Sequence, residues 1–229
     1  MPKASESPKT RRGRPLQDAS VSLVRNETIL EAATGSFAKN GYQATDIEEL
    51  AGQLGIGKGT VYRAFSSKQE LFFQALNRGL QRMSSFISDK TTREASDIDK
   101  IATGVRAYLQ FFDENPDLIE LFVQERAEFR DRPHSTFFEH RRTNIARWSS
   151  FMESLMKRGY VRRLEPDWLV ETLNQLLYGQ IMLHHYNNDK NQRLVERADD
   201  ILTIFFTGIL TREGLRATKF GAGGGNAET

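Results

Sequence analysis

Residues 45–65 read TDIEELAGQLGIGKGTVYRAF, and the spacing of apolar and glycine positions in this stretch decides the fold around it. Thr45 followed three residues later by Glu48 is the pattern of a capping box, so a helix is expected to open there. Ile47, Leu50, Ala51 and Leu54 fall on one face, and Gly55 stops the helix. After Gly55-Ile56-Gly57 a second short helix runs from Lys58 to about Phe65. Two short helices around a tight turn form a helix-turn-helix over residues 46–65, whose second helix suits a DNA major groove. With Val61 and Phe65 inward at i and i+4, Gly59 and Arg63 point outward, Thr60 and Tyr62 lie on the flanks, and Lys58 stands at the N-terminal end. These are sensible types for a DNA face. Gly59 has no side chain to hold the backbone off the groove, Thr60 can hydrogen-bond or set its methyl against thymine, and Arg63 can pair with guanine or phosphate. Mere core scaffold is the competing reading of the same two helices.

The pattern outside this stretch is helical too. Before it, Ile29, Ala33 and Phe37 make one stripe of a helix expected from about Ser22 to Lys39, with Gly41 as the residue beyond its C-cap. After it, Ser67 with Glu70 forms another capping box opening a fourth helix. Further helices are read at Asp97 to Asp113, from Pro116 to near Arg130, from His134 to Arg158, from about Asp167 to Tyr186, and from Leu194 to Thr211. No run of four or more residues shows clean period-2 alternation, so the class is all-α. The last two helices are apolar around more of their circumference than one packing face requires, which points to a second partner, either a buried central pair or an isologous dimer interface.

Composition narrows the function. The chain has 229 residues, 38% hydrophobic and 27% charged, close to average globular usage. No Cys is present, which removes disulfides, thiolate metal sites and cysteine nucleophiles together. The most continuous apolar stretch, Ile201 to Leu210, is interrupted by Thr203, Thr207 and Gly208, and no apolar stretch follows the basic N-terminus, so a cytoplasmic protein with no membrane partner is expected. The net charge of +2 is uneven: residues 1–89 carry 12 Lys+Arg against 9 Asp+Glu, and Met1 to Arg25 alone holds six basic and two acidic residues. Such an arm is expected to be disordered when free. His134, His140, His184 and His185 lack ligand spacing, and Glu125 and Glu128 share a helix face without the Glu-x-x-His partners of a di-iron site. No catalytic residue, metal or cofactor is assigned. Phe111, Phe112, Phe122, Phe129, Phe137, Phe138, Trp148 and Phe151 are read as core.

Ile29-Leu30-x-Ala32-Ala33, Phe37, Gly41-Tyr42, Thr45, Ile47, Ala51, Leu54-Gly55, Lys58-Gly59-Thr60-Val61-Tyr62, Phe65, Lys68 and Leu71 stand in one register. This string, within about Arg25 to Phe72, resembles the tetracycline-repressor (TetR) family of transcriptional regulators. The resemblance implies an N-terminal three-helix helix-turn-helix DNA-binding domain and a larger C-terminal helical domain for ligand binding and dimerisation. The corresponding layout is a basic arm over residues 1–22, the DNA-binding domain over 23–84, the effector and dimerisation domain over 85–218, and a tail over 219–229. It also implies that Thr45 and Lys68 touch phosphates, that Lys58, Gly59, Thr60 and Tyr62 lie against bases or nearby backbone, and that Arg63 meets a phosphate or a base. Two positions depart from the family pattern: Ala64 stands where an aromatic or His usually contacts the backbone, and Gly57 where Ser is common.

Arg11-Arg12-Gly13-Arg14-Pro15 looks like the core of an AT-hook, in which Arg12 and Arg14 enter an A·T minor groove; a nonspecific basic tail is the alternative. The expected function is a ligand-responsive homodimeric repressor, paired through the last two long helices and reading a palindromic operator on double-stranded DNA, with an unknown small-molecule effector in a cavity that some of the C-terminal aromatic residues line. An effector-free architectural DNA-binding protein is the alternative.

Overall fold

The computed structural model describes residues 17–187 and 192–218. Arg12 and Arg14 of the basic arm, and the tail over 219–229, lie outside the described residues. Within them the chain is all-α, with one isolated antiparallel bridge between Val161 and Leu210. Helices α1 (Gln17–Asn40), α2 (Ile47–Gln53) and α3 (Lys58–Ala64) close around Ile29, Ala33, Phe37, Leu50 and Val61, all but absent from the surface. Helix α4 (Lys68–Thr91) adds Leu71, Phe72 and Leu76 to this core, then continues into the second half of the molecule. There α5 (Asp97–Glu114), α6 (Pro116–Glu128) and α7 (Thr136–Lys157) pack around it and α8 (Pro166–Asn187) packs on those three, followed by α9 (Ala198–Ile209) and α10 (Arg212–Arg216).

Most boundaries have local causes. Gly41 follows α1 at φ +81° and donates its N–H to Phe37 O at 2.9 Å, closing the helix in the left-handed conformation glycine adopts cheaply. Ser67 caps α4, accepting from Glu70 N at 3.0 Å, while the Glu70 carboxylate returns to the N–H and hydroxyl of Ser66 rather than to the cap residue itself. Those two hydrogen bonds hold the Glu70 carboxyl below its ordinary pKa. Pro116 takes the first position of α6, where its missing N–H costs nothing.

The sequence reading needs correction at five places. Asp46, not Thr45, caps α2: its carboxylate accepts from Glu48 N at 2.7 Å, and the Thr45 hydroxyl instead donates back to Gly41 O at 2.8 Å. Helix α1 begins at Gln17, so the expected arm over 1–22 includes helical residues. The expected domain boundary after residue 84 falls inside α4, which reaches Thr91. The last long helix is divided: Leu194–Arg197 is a turn of 3-10 helix, whose Leu194 and Val195 N–H groups donate to the Asp113 carboxylate at 2.7 and 3.0 Å, and α9 starts behind it. Helix α10 was not foreseen. It is tied to the end of α7 by Thr211, whose N–H donates to Tyr160 O at 3.0 Å and whose hydroxyl donates to Gly159 O at 2.6 Å while accepting from Gly214 N at 3.1 Å.

The two halves meet through α6. Gln124 Nε2 donates to Phe37 O at 2.9 Å, Gln43 Nε2 donates to Glu128 at 2.5 Å, and the Phe129 ring lies 5.0 Å from Tyr42 and 4.8 Å from Phe73. Glu125, the other member of the carboxylate pair, is buried and accepts from Thr136 N and Oγ1 at 2.9 and 2.7 Å and from Arg132 at 3.2 Å. It is a structural cap for α7. Close backbone approach matters at Gly79, where an added Cβ would stand 2.5 Å from a Leu118 methyl carbon, and at Gly214, where it would stand 2.1 Å from Tyr160 O.

Gly214→Ala is therefore expected to cost about 1–3 kcal/mol by overpacking, and Gly52→Ala, in open space on α2, to add about 0.5–1 kcal/mol through helix propensity. Thermal unfolding of the two variants beside the parent checks both signs. An unchanged Tm for Gly214→Ala would contradict the seating of α10 on Tyr160.

Candidate nucleic-acid interface

The geometry of α2 and α3 is set by the turn between them. Gly55 has φ +65°, and the chain reverses there with Gly55 N donating to Gly52 O at 3.0 Å and Ile56 N to Ala51 O at 3.0 Å. Ile56 and Leu54 turn towards the core, and Thr60 N donates to Gly57 O at 2.7 Å to start α3. Val61 and Phe65 anchor the inner face of α3 at 0% and 5% exposure. What remains outward is Lys58, Gly59, Tyr62 and Arg63, all exposed, with Thr60 and Ala64 half-buried at the edges. Tyr62 keeps 39% of its surface in solvent although it is a large aromatic. An added Cβ at Gly59 would meet nothing within 4 Å, so packing within the chain does not require glycine there.

Two lysines flank this surface, and both have partners. Lys58 Nζ lies 3.5 Å from Glu48 on α2, an exposed pair of the kind worth about 0–1 kcal/mol. A phosphate can displace it. Lys68 donates to Gln43 O at 2.9 Å and lies 5.0 Å from the centre of the Tyr42 ring. Its ammonium is thereby held at the end of α4, with hydrogens left for another acceptor. Tyr42 in turn stacks among Phe37, Phe72 and Phe129, and burial, followed by the negative charge of Glu128 and the nearby Tyr62, pushes its hydroxyl pKa up. The phenol stays protonated as a donor.

Thr45 stands apart from the other candidates. It is 3% exposed, and its hydroxyl donates inward to Gly41 O, with Ser36 O at 3.2 Å. Its hydroxyl closes the turn after α1, which leaves little of the side chain at the surface for the phosphate contact expected of it. The structure thus brings Lys58, Gly59, Thr60, Tyr62, Arg63 and Lys68 to one side of the N-terminal half and leaves Thr45 inside. Sequence reasoning missed Gln43, whose carbonyl positions Lys68. A backbone acceptor leaves no mark in residue type. It also missed Asp46, although Asp two residues before Glu48 is a readable cap signal.

Comparison with known proteins places this surface in context. Residues 29–75 match the family described as bacterial regulatory proteins, tetR family. The uncharacterized HTH-type transcriptional regulator YhgD of Bacillus subtilis is 28% identical over 148 residues, covering 64% of this chain and 77% of that protein. The HTH-type transcriptional repressor KstR2 of Mycobacterium tuberculosis is 22% identical over 154 residues, covering 67% and 76%. Among solved structures, a transcriptional regulator from Saccharomonospora viridis in complex with choline superposes with a TM-score of 0.70 at 18% identity, over 83% of this chain and all of that one. These relatives are regulators of transcription rather than enzymes. Over residues 29–75 the chain carries the N-terminal domain of the bacterial regulatory proteins of the tetR family, and over about two thirds of its length it is similar to regulators of transcription.

Proposed function

We propose that the chain is a homodimeric, ligand-responsive repressor that reads a palindromic operator with α3 in the major groove. The observation that carries this reading is the outward face of α3. Gly59 is small where packing asks nothing of it, and Tyr62 and Arg63 stand in solvent beside it, an arrangement suited to base edges and phosphates. Lys68 and Lys58 border the face as phosphate contacts.

Dimerisation is supported by the outer surface of α8. Trp168, Leu176, Leu183 and Tyr186 are 58%, 42%, 58% and 68% exposed and follow one stripe along the helix, and Ile204 on α9 is 71% exposed. Large apolar side chains gathered in this way mark an interface. The rest of the outer face of α9 is Asp200, Thr203, Thr207 and Gly208, so α8 supplies most of the apolar contact. Two-fold symmetry sets two copies of α3 about 34–36 Å apart, the spacing of successive major grooves on one side of B-DNA. The route for a ligand signal is α4, which begins at Lys68 and ends beside a cavity in the second half of the molecule. The choline complex of the Saccharomonospora viridis regulator, with the same fold, supports a small-molecule ligand for this chain.

Binding to operator duplexes selected from a random library, titrated at several salt concentrations, tests the DNA face. Arg63→Ala and Tyr62→Ala are expected to lose about 1–3 kcal/mol on the operator. Gly59→Ala is expected to weaken operator binding while leaving Tm equal or higher, since the added methyl touches only DNA. Lys68→Ala is expected to weaken operator and random DNA alike and to flatten the salt slope by about one. Unchanged affinity in the first three variants would overturn the assignment.

The pairing surface is tested separately. Leu183→Glu combined with Ile204→Glu is expected to sediment as a monomer with an unchanged helical circular dichroism spectrum and to lose operator binding. A variant that remains a dimer would contradict pairing through α8 and α9.

A further inference from the structure

The cavity beside α4 has a chemical polarity along its length. Its apolar part, about 100 Å³, is bounded by Ile101, Val105, Met152, Val170, Leu173 and Leu177. Its polar part, about 120 Å³, adds Ser84, His140, Arg141, Asn144 and Arg147. Ile87, Tyr108, Trp148 and Asn174 are common to both, so the two parts meet at the Tyr108 and Trp148 rings.

The charges that line the polar part are of one sign. Arg141 and Arg147 line it, and no Asp or Glu does. Arg141 is held in place by Glu171 at 2.9 Å, which lies outside the lining, and its guanidinium stands 5.4 Å from the Phe138 ring centre. Arg147 is exposed, makes no ion pair among the described residues, and also lines a neighbouring depression with Lys100. Between the arginines and the apolar end, Ser84 Oγ and His140 Nε2 are 2.8 Å apart, with Asn144 Nδ2 3.3 Å from the same nitrogen. Burial holds the His140 imidazole below its ordinary pKa, so it is neutral and can donate or accept.

An apolar pocket bordered at one end by two guanidinium groups, of which Glu171 balances Arg141 while Arg147 has no ion pair among the described residues, and by three neutral hydrogen-bonding side chains is complementary to a molecule with an apolar body and one anionic head. A cationic head would meet Arg147 with no carboxylate in the lining. We infer that the effector is a small amphipathic monoanion, a carboxylate of about ten non-hydrogen atoms, with its body among Val105, Val170 and Leu173 and its charge at Arg141 and Arg147. The size follows from the roughly 220 Å³ of the two parts, set against a cavity of about 150 Å³ that holds benzene. This inference rests on the reading of the chain as ligand-responsive, and it adds the class of ligand and the side chains that select it. Met83, Ser84 and Ile87 place the same cavity against α4, so an occupant bears on the helix that carries Lys68.

Calorimetric titration of the full chain with octanoate and phenylacetate, each beside its primary amide of equal size and beside octylamine and phenethylamine, tests the inference. At least one acid is expected to bind more than about tenfold tighter than its amide, the worth of a charge-assisted contact, with the amines weaker still. Arg147→Gln is expected to remove most of that preference while leaving amide binding unchanged, and Leu173→Trp to abolish binding of acid and amide together. Amides binding as well as acids, or amines binding better, would overturn the assignment of an anion; no binding that Leu173→Trp removes would overturn the cavity as the site. The same titrations in the presence of operator keep the two readings apart. An acid that binds as expected but leaves operator affinity unchanged contradicts the ligand-responsive reading and leaves the chemistry of the cavity standing.

Discussion

Helix α4 is buried by both halves of the molecule along its length of about 36 Å, and the positions of α2 and α3 and of the cavity both follow from that single packing. Leu71, Phe72, Ala75 and Leu76 complete the core that α1, α2 and α3 cannot close alone, while Leu80 and Met83 belong to the core beyond it. Between them Gly79 lets α6 approach until Leu118 lies against the helix backbone. Loss of a large buried side chain from α4, such as Phe72 or Leu76, costs both halves at once, on the order of 2–5 kcal/mol.

The same arrangement makes a mechanical link. The contacts that join α6 to the N-terminal half include polar and aromatic ones: Gln124 to Phe37 O, Gln43 to Glu128, and Phe129 among Tyr42, Phe72 and Phe73. Gln124 Oε1 is buried with no hydrogen-bond partner among the described residues. Polar and edge contacts of this kind can re-pair at modest cost, whereas the apolar core around Phe37 and Phe72 cannot. Under the proposed function, ligand at the far end of α4 shifts the balance between two seatings of this joint. Coupling of about 1–3 kcal/mol is enough to change operator affinity 5- to 150-fold.

What the sequence made legible was local. Gly41, Ser67, Pro116 and the inward pair Val61 and Phe65 all stand where residue type and helical spacing put them, because each obeys forces acting within one or two turns. Thr45 and Asp46 show where that reasoning stops. Both are good caps, and the choice between them was made by Gly41 O, which claims the Thr45 hydroxyl. Helix α10 was hidden for a related reason, since five residues carry little periodicity and its stability comes from Gly159 and Tyr160, some fifty positions earlier. The aromatic residues of the second half look alike in sequence, yet Phe112 and Phe122 are buried in the core, Phe138 is half in solvent, and Phe137 and Trp148 line the cavity. Only the crossing of α4, α5, α7 and α8 distinguishes them.

Protection mapping gives the most direct test of the claim that α3 is the reading head of a symmetric pair. Hydroxyl-radical footprinting of a selected duplex bound to the parent chain is predicted to show two protected patches, related by a dyad and centred one helical turn apart on one side of the DNA. A single patch, or uniform protection without a favoured sequence at any ionic strength, would contradict it.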